Sequence, residues 1–189
     1  MTVDDARVSD ETLIARTAAG DPTAFDRLVR RHQAAVYRFA RAAAPADSPA
    51  DSAVEILQET FLAARRAAAR HRDETSARPW LLTLARQAID RRLARSRAAD
   101  LTPLRELARA AGWQSGGNGT IDESGPAVEA AFAALPPEDR EILTLCDREY
   151  FTVDETARVT GLSDAAVRTR LHRARLRLLA RLREDAHGG

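Results

Sequence analysis

Lysine is missing altogether: all 29 basic residues of this 189-residue chain are arginine. A GC-rich genome, whose codons favour Arg and Ala, accounts for most of that identity. Where the arginines stand carries the information. Cysteine occurs once, at Cys146, so no disulfide can form within the chain. Flanked by Ile142, Leu143 and Leu145, Cys146 reads as a buried apolar thiol rather than a redox sensor. The four histidines, His32, His71, His172 and His187, are scattered and have no cysteine partner at ligand spacing, which argues against a metal site. Aromatic residues are only 5%. With Ala and Leu abundant, that scarcity favours helices over sheets, and it leaves no aromatic cluster on which RNA bases would stack. No stretch approaches the roughly 18 apolar residues of a membrane span, and no basic-then-apolar signal segment is present. The expected location is the cytoplasm, without membrane insertion. No constellation of carboxylates, nucleophiles or metal ligands stands at catalytic spacing, so neither enzyme activity nor a cofactor is expected.

What is present is a hydrophobic content of 44%, enough for real cores, and a net charge of +1 that is the sum of separated parts. Asp4, Asp5, Asp10 and Glu11 outnumber Arg7 at the start, and two later clusters of arginine carry the opposite sign. Local charge decides affinity for nucleic acid, not the total.

Helical punctuation runs the length of the chain. Leu13, Ile14 and Ala18 form a short stripe broken at Gly20, and Asp21-Pro22 restarts a second helix with an N-cap and a first-turn proline. A third helix is expected from about Ser52 to about Ala69, with Val54, Leu57, Phe61 and Ala64 or Ala68 inward and Glu55, Gln58 and Glu59 outward. His71 to Arg78 read as a polar loop. Pro79 opens a fourth helix with Trp80, Leu81, Leu84, Ala88 and Leu93 on its apolar side and a basic tail of Arg86, Arg91, Arg92, Arg95 and Arg97. Leu101 to Ala111 read as a short helix, and Gly112 to Pro126 as Gly-rich tether. Beyond it, Val128 to Leu135, Pro137 onward, and Thr152 with Glu155 as a capping box read as further helices. The sum is seven or eight helices and no strands.

Gly161 then supplies a turn, Ser163 a cap, and Val167, Leu171, Ala174, Leu178 and Leu182 a buried stripe. Seven arginines (Arg168, Arg170, Arg173, Arg175, Arg177, Arg181, Arg183) share that segment with one acid, Asp164. Solvated surface helices normally mix charge signs. A single-sign helix behind a glycine turn reads instead as the recognition helix of a helix-turn-helix.

Four stretches, in order, resemble the bacterial sigma factors of the extracytoplasmic-function group, within the sigma-70 superfamily. They are Glu55-Ile56-Leu57-Gln58-Glu59-Thr60-Phe61-Leu62, Arg78-Pro79-Trp80-Leu81-Leu82-Thr83-Leu84-Ala85-Arg86-Gln87, Leu135-Pro136-Pro137-Glu138-Asp139-Arg140-Glu141-Ile142-Leu143 and Arg168-Thr169-Arg170-Leu171-His172-Arg173-Ala174-Arg175. The chain departs from the family at Ala165-Ala166-Val167, where Gly-Thr-Val is usual, at Gln87 in place of Asn, and at Glu55 in place of Asp.

The resemblance implies an all-α protein of two small helical domains joined by a flexible linker: a region 2-like bundle over 9–97, a linker over 98–126, and a region 4-like helix-turn-helix over 127–185. It implies a factor that binds core RNA polymerase and directs promoter-specific initiation. The minus-35 element would be read by Arg168, Arg170, His172, Arg173 and Arg175, and the minus-10 element by His71, Arg72, Arg86, Gln87, Arg91 and Arg92. Glu55, Gln58 and Glu59 would dock on the coiled coil of the largest polymerase subunit, a solvated face being the alternative; the flap is the second polymerase contact. Trp80 reads as a core anchor, with base stacking the alternative. An anti-sigma protein is the expected further partner. The competing function is a stand-alone helix-turn-helix regulator, for which neither a dimer interface nor a ligand site is visible.

Overall fold

The computed structural model describes residues 8–43, 49–71, 76–99 and 125–187, and no strand occurs among them. The expected short helix at Leu101 to Ala111 and residues 100–124 of the expected linker lie outside the described residues.

Helix α1 (Asp10–Ala18) starts at Ser9, whose side chain accepts from the Thr12 N–H. It ends before Gly20, at φ +90°, a conformation glycine adopts without strain. Asp21 then caps α2 (Pro22–Ala43), its Oδ1 accepting from the N–H groups of Thr23 and Ala24. Leu13, Ile14, Ala24 and Leu28 seal the two helices together with Ala68 and Ala77.

Helix α3 (Pro49–Ala67) starts three residues before the sequence expectation, with proline in the first position, where a missing N–H costs nothing. A single 3-10 turn, Ala68–Arg70, follows. Its inward face differs from the expected one by a register step: Ala53, Ile56, Thr60, Phe61 and Ala64 are buried, and Val54 stands exposed. Thr60 can occupy the core because its hydroxyl donates to the Ile56 carbonyl at 2.6 Å. Helix α4 (Ala77–Ala99) buries Leu81, Leu82, Ala85, Ala88 and Ile89 against α2 and α3.

The C-terminal helices are α5 (Pro126–Ala133), α6 (Pro137–Leu143), α7 (Val153–Thr160) and α8 (Asp164–His187). Pro137 opens α6 with Glu138 and Asp139 in the first turn, where acids meet the positive helix end. The expected continuation of α6 is instead a π-helical turn, Thr144–Arg148. The wider turn redirects the chain at its exit. Glu149 and Phe151 swing inward, while Tyr150 between them takes φ +57° and is 84% exposed.

The two helical sets do not lie apart. Leu145, Phe151 and Val159 of the C-terminal set belong to the same buried cluster as Val36, Phe39, Leu81 and Leu82 of the N-terminal set. Ala42 of α2 in turn enters the cluster of Phe132, Leu135, Leu143 and Ala174.

Candidate nucleic-acid interface

The turn between α7 and α8 is built as its residues dictate. Thr152 accepts from the Glu155 N–H, and the Glu155 carboxylate accepts from the Thr152 N–H, closing the capping box. Gly161 takes φ +72°, and its N–H donates to the Ala157 carbonyl at 2.8 Å. Ser163 Oγ then accepts from the Ala166 N–H at 3.3 Å. The buried stripe follows the expectation: Val167 and Ala174 are sealed from solvent, and Leu171 and Leu178 pack partly buried beside Leu135 and Leu143.

With that face held down, the others point away. Arg168, His172 and Arg173 are exposed and Arg170 is half-buried. Arg168 lies 3.6 Å from Asp164, one turn back. Arg175 is turned onto its own domain instead: Nη2 donates to Asp147 Oδ1 at 2.5 Å and Nε to Oδ2 at 3.2 Å. That bidentate bond raises its pKa above the ordinary guanidinium value. Arg177 likewise reaches the buried Asp139 at 2.5 Å. The arginine row thus divides into residues that face outward and residues that tie α8 to α6 and the π turn.

On α4, Gln87 and Arg91 are exposed. Arg86 is half-buried, with Nη1 2.7 Å from Glu141 Oε2 and Nη2 3.2 Å from Asp90 Oδ1. Arg92 pairs with Glu55, and Arg95 with Glu59 at 2.9 Å. The acids expected to dock polymerase and the basic tail expected near DNA therefore neutralise each other across α3 and α4. Gln58 is exposed, as are Val54 and Leu62 on the same helix. His71 lies against Trp80 with ring centroids 4.5 Å apart and the ring planes tilted by 47°, and Trp80 bridges two apolar clusters as a partly buried anchor. Arg72 lies outside the described residues.

Sequence reading missed the contacts between the two helical sets. Arg38 and Arg78 converge on Glu149, at 2.6 and 3.5 Å, and Arg86 reaches Glu141. Burial pushes the Glu141 carboxyl above its ordinary value, opposed chiefly by the Arg86 charge; Asp90 raises it further and Arg170 lowers it. Cys146 is half-buried rather than buried. Its thiol lies 3.4 Å from the Thr156 hydroxyl, and desolvation raises its pKa. Among the described residues no cluster of His, Cys, Asp and Glu could hold a metal, and no helix is long and apolar enough to cross a membrane.

Two family models match the chain in order: Sigma-70 region 2 over residues 28–99 and Sigma-70, region 4 over residues 126–178. SigM of Mycobacterium tuberculosis, an ECF RNA polymerase sigma factor, is 34% identical over 170 residues, covering 90% of this chain and 83% of SigM. CnrH of Cupriavidus metallidurans, an RNA polymerase sigma factor, is 30% identical over 187 residues, 94% of this chain and 96% of CnrH. The solved structure of CnrH with the cytosolic domain of CnrY superposes with a TM-score of 0.63, covering 93% of this chain and 98% of that one.

Proposed function

From the premise that this chain belongs to the extracytoplasmic-function group of the sigma-70 family, we propose that it binds core RNA polymerase and directs initiation at a distinct set of promoters. One observation carries the reading of DNA: the Gly161 turn delivers α8 with its apolar stripe buried and Arg168, Arg170, His172 and Arg173 left on the outer faces. A helix so presented fits the major groove. Residues 127–185 are then the minus-35 module, and residues 9–97 the minus-10 and docking module, with 98–126 between them.

Within the first module, Arg86, Gln87, Arg91 and Arg92, with His71 and Arg72, are assigned to the melted minus-10 strand, whose backbone needs cations and whose unstacked bases need partners. Glu55, Gln58 and Glu59 are assigned to the polymerase coiled coil, with Val54 and Leu62 supplying apolar area beside them. On binding, the carboxylates exchange Arg92 and Arg95 for polymerase cations, so their present pairing keeps the free surface neutral. Arg175 is assigned a second role, since its guanidinium already holds Asp147: it sets the pitch of α8 and reaches a phosphate at most with its remaining N–H groups. Leu176 and Leu179, both half exposed, offer an apolar patch for the polymerase flap. The work is binding and duplex opening, without covalent chemistry, and it takes place in the cytoplasm with polymerase. An anti-sigma protein covering these surfaces fits the same reading, because the solved relative CnrH is bound to the cytosolic domain of CnrY.

Transcription in vitro with core polymerase across a promoter library tests the proposal. Added protein should move initiation to a new, sequence-defined set of starts. Identical starts with and without it would overturn the reading. Tight sequence-specific gel shifts by the chain alone would point to the stand-alone regulator.

A further inference from the structure

Among the described residues, Tyr150 is the one non-glycine with a positive φ, and its side chain stands almost wholly in solvent. A bulky residue is strained in the left-handed region, and glycine would hold the same backbone without that cost. The conformation is imposed from both sides. The Glu149 N–H donates to the Thr144 carbonyl and the Phe151 N–H to the Leu145 carbonyl, both at 2.9 Å. One residue further, Thr152 caps α7. The ring buries almost nothing in return, so the fold itself does not call for tyrosine at this corner. Strain kept at an exposed side chain points to a bound partner.

The corner belongs to the helix-turn-helix. Tyr150 stands two residues before the cap of α7, the helix that crosses the DNA backbone when α8 enters the groove. Asp147, three residues earlier and no more than about 11 Å away along the chain, holds Arg175 on α8. The corner is thus tied to the flank of the recognition helix. Its chemistry suits a phosphate better than a protein. The other exposed large apolar residues are Val54 and Leu62 on α3 and Leu176 and Leu179 toward the end of α8. Tyr150 has no such neighbour in its own stretch, and a protein hot spot is normally rimmed by one. The nearby acids are each held: Asp147 by Arg175, Asp154 by Arg158 at 2.5 Å, and Glu155 by the Thr152 N–H and hydroxyl. A neutral O–H donor can therefore approach a phosphate there.

Resting on the function proposed above, we propose that Tyr150 is a further promoter contact, its hydroxyl donating to a backbone phosphate at the edge of the minus-35 element, beside the groove that α8 enters. The pinned backbone aims the phenol in advance, so less freedom is lost on binding. A phosphate contact fixes register without choosing sequence, so Tyr150 tightens every promoter that uses the upstream element.

Two variants test the contact in holoenzyme reconstituted with core polymerase, on a fluorescein-labelled promoter that responds in the transcription experiment. Tyr150→Phe removes only the hydroxyl and should weaken binding about fivefold. Tyr150→Gly should weaken it at least as much while folding better, its folding equilibrium constant rising about threefold. Neither should alter affinity for core polymerase, and both losses should vanish when the upstream element is scrambled. Neutral methylphosphonate linkages, placed one at a time through the element, then locate the phosphate. At one linkage the wild type should lose what Tyr150→Phe loses, and the variant should lose nothing more. The proposal is overturned if Tyr150→Phe binds the promoter like the wild type, if the loss survives scrambling, if core affinity falls, if no linkage shows that coupling, or if Tyr150→Gly is the less stable protein. Failure of the underlying function shows separately, as unchanged start sites when the wild type is added in transcription.

Discussion

Arg140 and Ala42, 98 residues apart in the chain, are joined by a single hydrogen bond: the Arg140 Nε–H donates to the Ala42 carbonyl at 2.8 Å. The same guanidinium donates through Nη1 to the carbonyls of Leu135 at 2.8 Å and Ala133 at 3.2 Å. One buried cation therefore satisfies the frayed end of α5 and the last turn of α2 together. Its burial lowers the pKa from the ordinary value, but a guanidinium so far above neutrality stays charged.

Replacing Arg140 with Met keeps the apolar stem and removes every donor. Three carbonyls then lose their partner in or near the core. The expected loss is about 3 kcal/mol, the scale of stranding buried acceptors of a charged donor. Urea denaturation followed by circular dichroism measures it. A loss under about 1 kcal/mol would mean that solvent reaches those carbonyls.

Gly161 poses a purely conformational question. Its φ of +72° lies in the left-handed region, yet an added Cβ would meet nothing within 4 Å. Gly161→Ala should therefore destabilise through the backbone alone, by about 1 kcal/mol, and Gly161→Asn by less. Comparing the two variants by thermal unfolding separates backbone strain from steric clash; equal losses would rule strain out.

The sequence made the local grammar of this fold readable. Asp21, Thr152 with Glu155, Gly161 and Ser163 each cap or turn the chain where their chemistry predicts, because those bonds span two to four residues. The stripe of Val167, Leu171 and Ala174 was equally plain, since its partners lie on the neighbouring helices. Glu141 and Glu149 were not readable. Each sits in a charged stretch, and only arginines 55 to 111 residues away turn it into a buried partner. Val54 failed for a related reason. Thr60 looks polar in a pattern, but its hydroxyl is satisfied by its own helix, so the buried face rotates toward it. The division of the α8 arginines, Arg175 inward to Asp147 and Arg173 outward, also depends on a π turn that no periodicity announces.

Asp10 ties α1 to α2 through His32 Nε2 at 2.8 Å and Arg31 Nη1 at 2.5 Å. The His32 hydrogen bond, with help from Arg31 and against the effect of burial, holds the Asp10 carboxyl below its ordinary value of 3.8. A depressed carboxylate stabilises the fold above its unfolded pKa, and that contribution disappears as pH falls through the lower folded value. Asp10→Asn should thus cost about 2 kcal/mol at pH 7, the scale of a charge-assisted hydrogen bond. The gap between variant and wild type should narrow only below pH 3.8. Urea midpoints across that range measure it, and a gap constant to the lowest accessible pH would assign the effect to packing.

Arg173 is the sharpest probe of DNA reading because nothing else depends on it. It is exposed on α8, pairs with no carboxylate among the described residues, and lies beside the buried Ala174 that fixes its backbone. Arg173→Ala should leave stability within about 0.5 kcal/mol of the wild type. Transcription from promoters that depend on the upstream element should fall by about tenfold, corresponding to about 1–3 kcal/mol for a specific contact. The pattern of loss identifies the contact. A base-reading role relaxes preference at one position of the element, whereas a phosphate role weakens all promoters alike and lowers the salt slope by about one. Unchanged output at every promoter would remove Arg173 from the interface and shift the reading to Arg168 and Arg170, whose carboxylate neighbours Asp164 and Glu141 must then give way on binding.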